Sequence, residues 1–141
     1  MIEVSMVPRE YIDTCWDKVE GFIGKAARYT YDRYTSSNIY DMVKEGDYHL
    51  WVAYDEGTFK GAVVTNIMTY PQKKTLCMQF CGGEQLKLWK DQMLDLLKRF
   101  ARDSGCEGIE STGRPGWAKV FKNDGYKAIW VTYELPIAQE N

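Results

Sequence analysis

Apolar and polar positions alternate in short runs at several places in the chain and fall into helical spacing in others. "IEVSMVP" alternates and stops at Pro8, which predicts a first strand. In the following run Tyr11, Ile12, Cys15, Trp16, Val19, Phe22 and Ile23 recur at three- and four-residue intervals, the pattern of an amphipathic helix. Gly21 and Gly24 either weaken that helix or let another element pack close. "SSNIYDMVKEGD" predicts a shorter helix, capped by Ser or Asn and closed near Gly46.

Two strand-like runs, one through Trp51 and one through Val63, flank "DEG", a hairpin signal with Gly57 available for positive φ. "KTLCMQFCGG" reads as a third strand, stopped by Gly82 and Gly83. "EQLKLWKDQMLDLLKRFARDSG" is the clearest helix: Leu86, Trp89, Met93, Leu96, Leu97 and Phe100 form one apolar stripe, and Gly105 ends it. A short strand "CEGIEST", a short helix "PGWAKVFKNDG" and a last strand "YKAIWVTYELPI" follow. With no repeat, linker or low-complexity tract, residues 1–141 are expected to form one domain of order β-α-α-β-β-β-α-β-α-β. A crossover as long as the helix at Trp89 suits parallel strands, whereas the hairpin is antiparallel. The expected fold is therefore α+β (mixed α/β), with a mixed, mostly antiparallel sheet and helices on both faces.

Composition narrows the function more than the fold. The 141 residues are 45% hydrophobic and 27% charged, ordinary for a soluble domain, and the net charge of −2 argues against nucleic acid as a partner. The N-terminus has no basic segment followed by a long apolar run, so no signal peptide is expected, and no stretch is apolar enough to span a bilayer. Cys77 and Cys81 share one extended run, which sets them ~13 Å apart, beyond disulfide reach. With no C-x-x-C pair and a single histidine, His49, zinc is not expected, and the four cysteines read as reduced, mostly buried thiols in a cytoplasmic compartment. Ten tyrosines and five tryptophans are many for this length.

The element order, with a hairpin, a Gly-ended strand, a long helix and a short helix closing on Gly-aromatic, resembles the GCN5-related N-acetyltransferase superfamily over nearly the whole chain. That family's last helix commonly carries Asn-x-x-Ala-x-x-x-Tyr-x-x-x-Gly-Phe. "RPGWAKVFKNDGY" lays onto the spacing with Arg114 at the Asn place, Trp117 at the Ala place, Phe121 at the Tyr place and Gly125-Tyr126 at the Gly-Phe place. "CGGEQLKLW … GRPGW" also resembles small phage-encoded acetyltransferase-like proteins, which would put the protein in a host cytoplasm.

The resemblance implies a splayed parallel strand pair with an acyl-CoA, acetyl-CoA foremost, lying between the strands. Its pyrophosphate would rest on amides at the start of the long helix, where a glycine turn lets N–H groups approach phosphate. The segment Phe80, Cys81, Gly82, Gly83, Glu84, Gln85 and Lys87 occupies that place, with Arg114 as a further phosphate grip. The full glycine motif is absent, and the Glu84 carboxylate would repel a pyrophosphate unless Lys87 and Lys90 offset it. Gly82 and Gly83 could equally just end a strand while Glu84 favours the helix start.

Acyl transfer from a thioester to an amine needs a base for the amine and an acid for the leaving thiolate. The family's usual acid is the tyrosine replaced here by Phe121, which leaves Tyr126 and Tyr133 as stand-ins; Glu110, flanked by Ser111 and Thr112, is the candidate base. The connection containing Arg28, Tyr29, Tyr31, Arg33 and Tyr34 falls where the family lines its acceptor cleft. The acceptor implied is a small-molecule amine, a protein N-terminus or a lysine. Two functions stay open: an acyl-CoA-dependent N-acyltransferase, or a catalytically inactive interaction or assembly protein on the same fold.

Overall fold

The computed structural model describes residues 1–113, 117–121 and 124–139. Five strands lie in sequence order in one sheet: β1 (Glu3–Met6), β2 (Tyr48–Asp55), β3 (Thr58–Thr69), β4 (Lys74–Gly83) and β5 (Gly108–Ser111). The first four are antiparallel neighbours; β4 and β5 are parallel, joined by the crossover helix α3 (Leu86–Asp103). Glu56 and Gly57, with φ of 47° and 84°, form the β2–β3 turn that "DEG" predicts.

The sheet is covered on both faces, so β2 reads as an unbroken apolar run, and alternate residues go to different cores. Leu50 and Val52 meet α1 (Ile12–Ala27) and α2 (Ser36–Glu45), whereas Trp51 and Ala53 meet α3. The buried faces of the helices match the spacing: Ile12, Cys15, Trp16, Val19 and Ile23 on α1; Trp89, Met93 and Leu97 on α3. The α2 cap differs from expectation. Thr35 is the N-cap: its hydroxyl accepts from the Asn38 N–H at 3.1 Å, and Asn38 Oδ1 accepts from the Thr35 N–H at 2.9 Å.

The last element departs further. After α4 (Trp117–Phe121) and a turn at Gly125, residues 126–139 form no strand. The strand pattern is present in the sequence, but a strand exists only when another pairs with it, and β5 at the sheet edge is four residues long.

Candidate active site at the parting of β4 and β5

The parallel pairing runs only from Thr75↔Gly108 to Met78↔Ser111, with one more bond from the Thr112 N–H to Met78 O at 3.3 Å. Opposite, the β3 register skips from Val64↔Phe80 to Thr65↔Met78, which leaves Gln79 as an extra residue in β4. Such a bulge bends its strand, and it falls where β4 and β5 part. From Gln79 to Gly83, β4 has no β5 partner among the described residues, so its outer backbone edge faces a gap.

Chemistry gathers on both sides of this gap because β5 alternates. Glu110 faces the α1–α2 side, in register with Cys77, and accepts a 2.8 Å hydrogen bond from the Tyr70 hydroxyl at the β3–β4 turn. The Cys77 thiol is pushed up to about 11, chiefly by burial, with the Glu110 charge adding to it. Ser111 faces the α3–α4 side, where it meets Tyr126. Burial raises the Tyr126 pKa, and the nearby Ser111 hydroxyl offsets part of that, so the phenol keeps its proton well beyond neutral pH.

Tyr126 also lines a narrow apolar slot with Met78, Cys81, Trp89, Met93 and Trp117. Burial drives the Cys81 thiol up to about 12, which makes it a wall of the slot and not a nucleophile. All four cysteines are free thiols.

The glycine segment is closely packed on its Cα side. A Cβ on Gly82 would meet the Phe22 carbonyl oxygen at 2.5 Å, and one on Gly83 would meet the Lys60 carbonyl oxygen at 2.6 Å. Both glycines let neighbouring backbone pack against the end of β4. The Glu84 N–H is taken by Lys60 O at 2.7 Å, and Glu84 O accepts from the Trp89 indole at 2.9 Å. Lys90 does not offset the Glu84 charge: it pairs with Asp124 at 2.9 Å and donates to Val120 O at 3.1 Å. Among the described residues, what remains for an anion is the start of α3, where Gln85 offers no side-chain cap, and the exposed Lys87.

Phe80 points to the α1–α2 side and stacks edge-on with Tyr34 at 5.1 Å, so of the aromatic connection Tyr34 reaches the β4 surface. Tyr29 and Tyr31 are 48% and 79% exposed, and Arg28 is exposed. Tyr133, at 90% exposure, does not join the site, and Arg114 lies outside the described residues. His49 is held by Thr65 at 2.9 Å and by the Phe100 ring, on β2, two strands from β4. Sequence reading missed Tyr70 as the partner of Glu110; only the number of tyrosines hinted at such roles.

No protein family and no curated protein matches the sequence itself. Solved structures do match the fold. One described as a probable acetyltransferase superposes with a TM-score of 0.71 at 14% identity, covering 98% of this chain and 99% of its own. The chain has the GCN5-related N-acetyltransferase fold. An aminoglycoside acetyltransferase from an uncultured soil metagenomic sample gives a TM-score of 0.73 at 10% identity, with coverages of 98% and 99%. A ribosomal-protein-alanine N-acetyltransferase from Brucella melitensis biovar Abortus 2308 gives 0.73 at 10% identity, with coverages of 96% and 99%. At such identities the GCN5-related likeness is one of architecture, and residue roles have to be argued from the site.

Proposed function

We propose that the protein is an acyl-CoA-dependent N-acyltransferase, with acetyl-CoA as the acyl donor and a primary amine as acceptor. The observation that carries this reading is the gap between β4 and β5, with a carboxylate on one side and a neutral phenol on the other. An acyl thioester supplies an activated carbonyl; the protein has to seat it, deprotonate the amine and protonate the sulfur that leaves.

The free edge of β4 from Gln79 to Gly83 offers backbone N–H and C=O groups to the amides of a pantetheine arm. The apolar slot beside it excludes water. At the phosphate end, among the described residues, Lys87 and the uncapped start of α3 are what the protein offers. Gly82, Gly83 and Glu84 shape the turn by packing and do not grip phosphate.

Glu110, held by Tyr70, takes the proton from the amine directly or through one water. As the amine nitrogen bonds to the acyl carbon and the carbon–sulfur bond breaks, Tyr126 gives its proton to the sulfur, and the Ser111 hydroxyl, beside it, donates to the phenolate oxygen that forms. The wall on the Glu110 side, with Tyr34, Phe80 and Tyr70, suits an amine carried on a flat or apolar body, whether a small molecule or a peptide. The aminoglycoside and ribosomal-protein enzymes of the same fold bracket those two classes.

Release of free CoA thiol from acetyl-CoA, followed with a panel of aminoglycosides, peptide N-termini and lysine peptides, tests this. Turnover with an amine and none with its N-acetylated form supports the reading. Absence of turnover with every amine in the panel, under conditions where acetyl-CoA is bound, favours an interaction protein on the same fold.

A further inference from the structure

Gln79, the extra residue of the β4 bulge, has a side chain held in one direction: its Nε2 donates to Asn66 Oδ1 at 3.0 Å. Asn66 is itself 8% exposed, and its Nδ2 donates to the Met68 sulfur at 3.2 Å, a weak acceptor. A buried amide is costly unless its hydrogen bonds are made. This one spends its oxygen on fixing Gln79. The Gln79 Oε1 keeps no partner among the described residues.

Strand register shows what that oxygen stands beside. Asn66 pairs with Cys77 and Cys77 with Glu110, so the three lie in one row across β3, β4 and β5. Tyr48, opposite Asn66, packs against the α1–α2 core, which places the row on that face of the sheet. Gln79 is two residues on from Cys77, on the same face and at the mouth of the gap. It is therefore ~7 Å along the sheet from Glu110 and one strand spacing, ~4.8 Å, across. Two long side chains bridge such a separation and converge on neighbouring atoms of one small ligand. The Glu110 carboxylate and the Gln79 amide oxygen are both acceptors, and two acceptors side by side call for two donors.

We propose that Gln79, positioned by Asn66, sets acceptor specificity. Its amide oxygen accepts from an O–H or N–H on the carbon next to the one that bears the reacting nitrogen. The acceptors favoured are 1,2-amino alcohols and 1,2-diamines over plain monoamines. The inference rests on the acyl-transfer reading, which turns Glu110 toward the amine.

A nuclear magnetic resonance titration of the full chain in excess CoA tests it, with 2-phenylethylamine and 2-amino-1-phenylethanol, which differ by one hydroxyl. The native sequence should bind the amino alcohol about five- to tenfold more tightly, the worth of one hydrogen bond. Gln79→Met, similar in length but without the amide, should bring the two affinities together and leave that of the plain amine unchanged. Asn66→Ala, which releases Gln79, should shrink the preference while Gln79 itself is intact. Equal affinities in the native sequence, a preference that survives Gln79→Met, or binding of neither amine would each overturn the proposal. The same amines with acetyl-CoA separate the two readings. A binding preference without release of CoA thiol would sink the catalytic reading alone, and turnover without a preference would sink the role of Gln79 alone.

Discussion

Tyr70 and Glu110 lie 40 positions apart in sequence, and the tyrosine hydroxyl donates a 2.8 Å hydrogen bond to the glutamate carboxylate. The β3–β4 turn brings one and the parallel strand β5 the other, and they meet beside the gap in the sheet. The bond fixes the carboxylate's direction and keeps Tyr70 protonated: its pKa is raised, first by this bond and then by burial.

If Glu110 is the base, Glu110→Gln should lower kcat by about 10²-fold or more, the usual worth of general base assistance. Tyr70→Phe removes a hydrogen bond to a charged group, worth about 1.5 kcal/mol, and should cost about tenfold. Steady-state kinetics on both variants decide this. Equal losses would make Tyr70 a participant in its own right, and no loss in either would remove Glu110 from the reaction.

If Tyr126 is the acid, it sets the alkaline side of the pH profile. Because burial raises its pKa above the usual 10, the phenol holds its proton across the neutral range, and kcat should fall only above about pH 10. Tyr126→Phe should lower kcat by about 10²–10⁴-fold and abolish that alkaline limb. An unchanged profile in the variant would exclude the phenol as the acid.

The glycines at the end of β4 make a stability prediction. Gly82→Ala drives a Cβ against the Phe22 carbonyl, and Gly61→Ala drives one to 2.5 Å from the Trp89 ring. Each should destabilise the protein by about 1–3 kcal/mol in urea unfolding, as overpacking does. Loss of cofactor affinity with unchanged stability would restore Gly82 to a phosphate-binding role.

The buried thiols test the slot. Cys81, raised from 9.0 to about 12, should carry roughly a thousandfold less thiolate at pH 8 than an ordinary cysteine and react correspondingly slowly with iodoacetamide. The sign for stability follows from linkage. Unfolded thiols lose protons from about pH 9 while folded Cys77 and Cys81 hold theirs to about 11 and 12, so stability falls as pH rises through that window. Rapid native labelling of Cys81, read by mass spectrometry, would contradict the geometry of the slot.

Much of this architecture was legible in the chain. The helical spacing around Val19 and Trp89, the hairpin at Gly57 and the parallel crossover follow from period and length, which are local properties. Glu110 and Tyr126 could be marked as candidates from the order of elements. Their partners could not: the Tyr70–Glu110 and Ser111–Tyr126 meetings depend on strand register and on a bulge at Gln79, which no local pattern encodes. Gly82 and Gly83 show the same limit, since a glycine that admits a phosphate and one that admits a neighbouring carbonyl look alike in sequence. The C-terminal run was misread as a paired strand for a related reason: alternation reports what a segment can do, and pairing needs a partner edge.

The central claim is that the gap between β4 and β5 takes an acyl-CoA. The most direct measurement is the stability of the full chain titrated with acetyl-CoA, with hydrogen exchange read across residues 79–83. Binding to the folded state should add about 2.7 kcal/mol at a hundredfold excess over Kd and protect the free β4 edge. No stabilisation and no protection with acetyl-CoA, CoA or longer acyl-CoAs would contradict it.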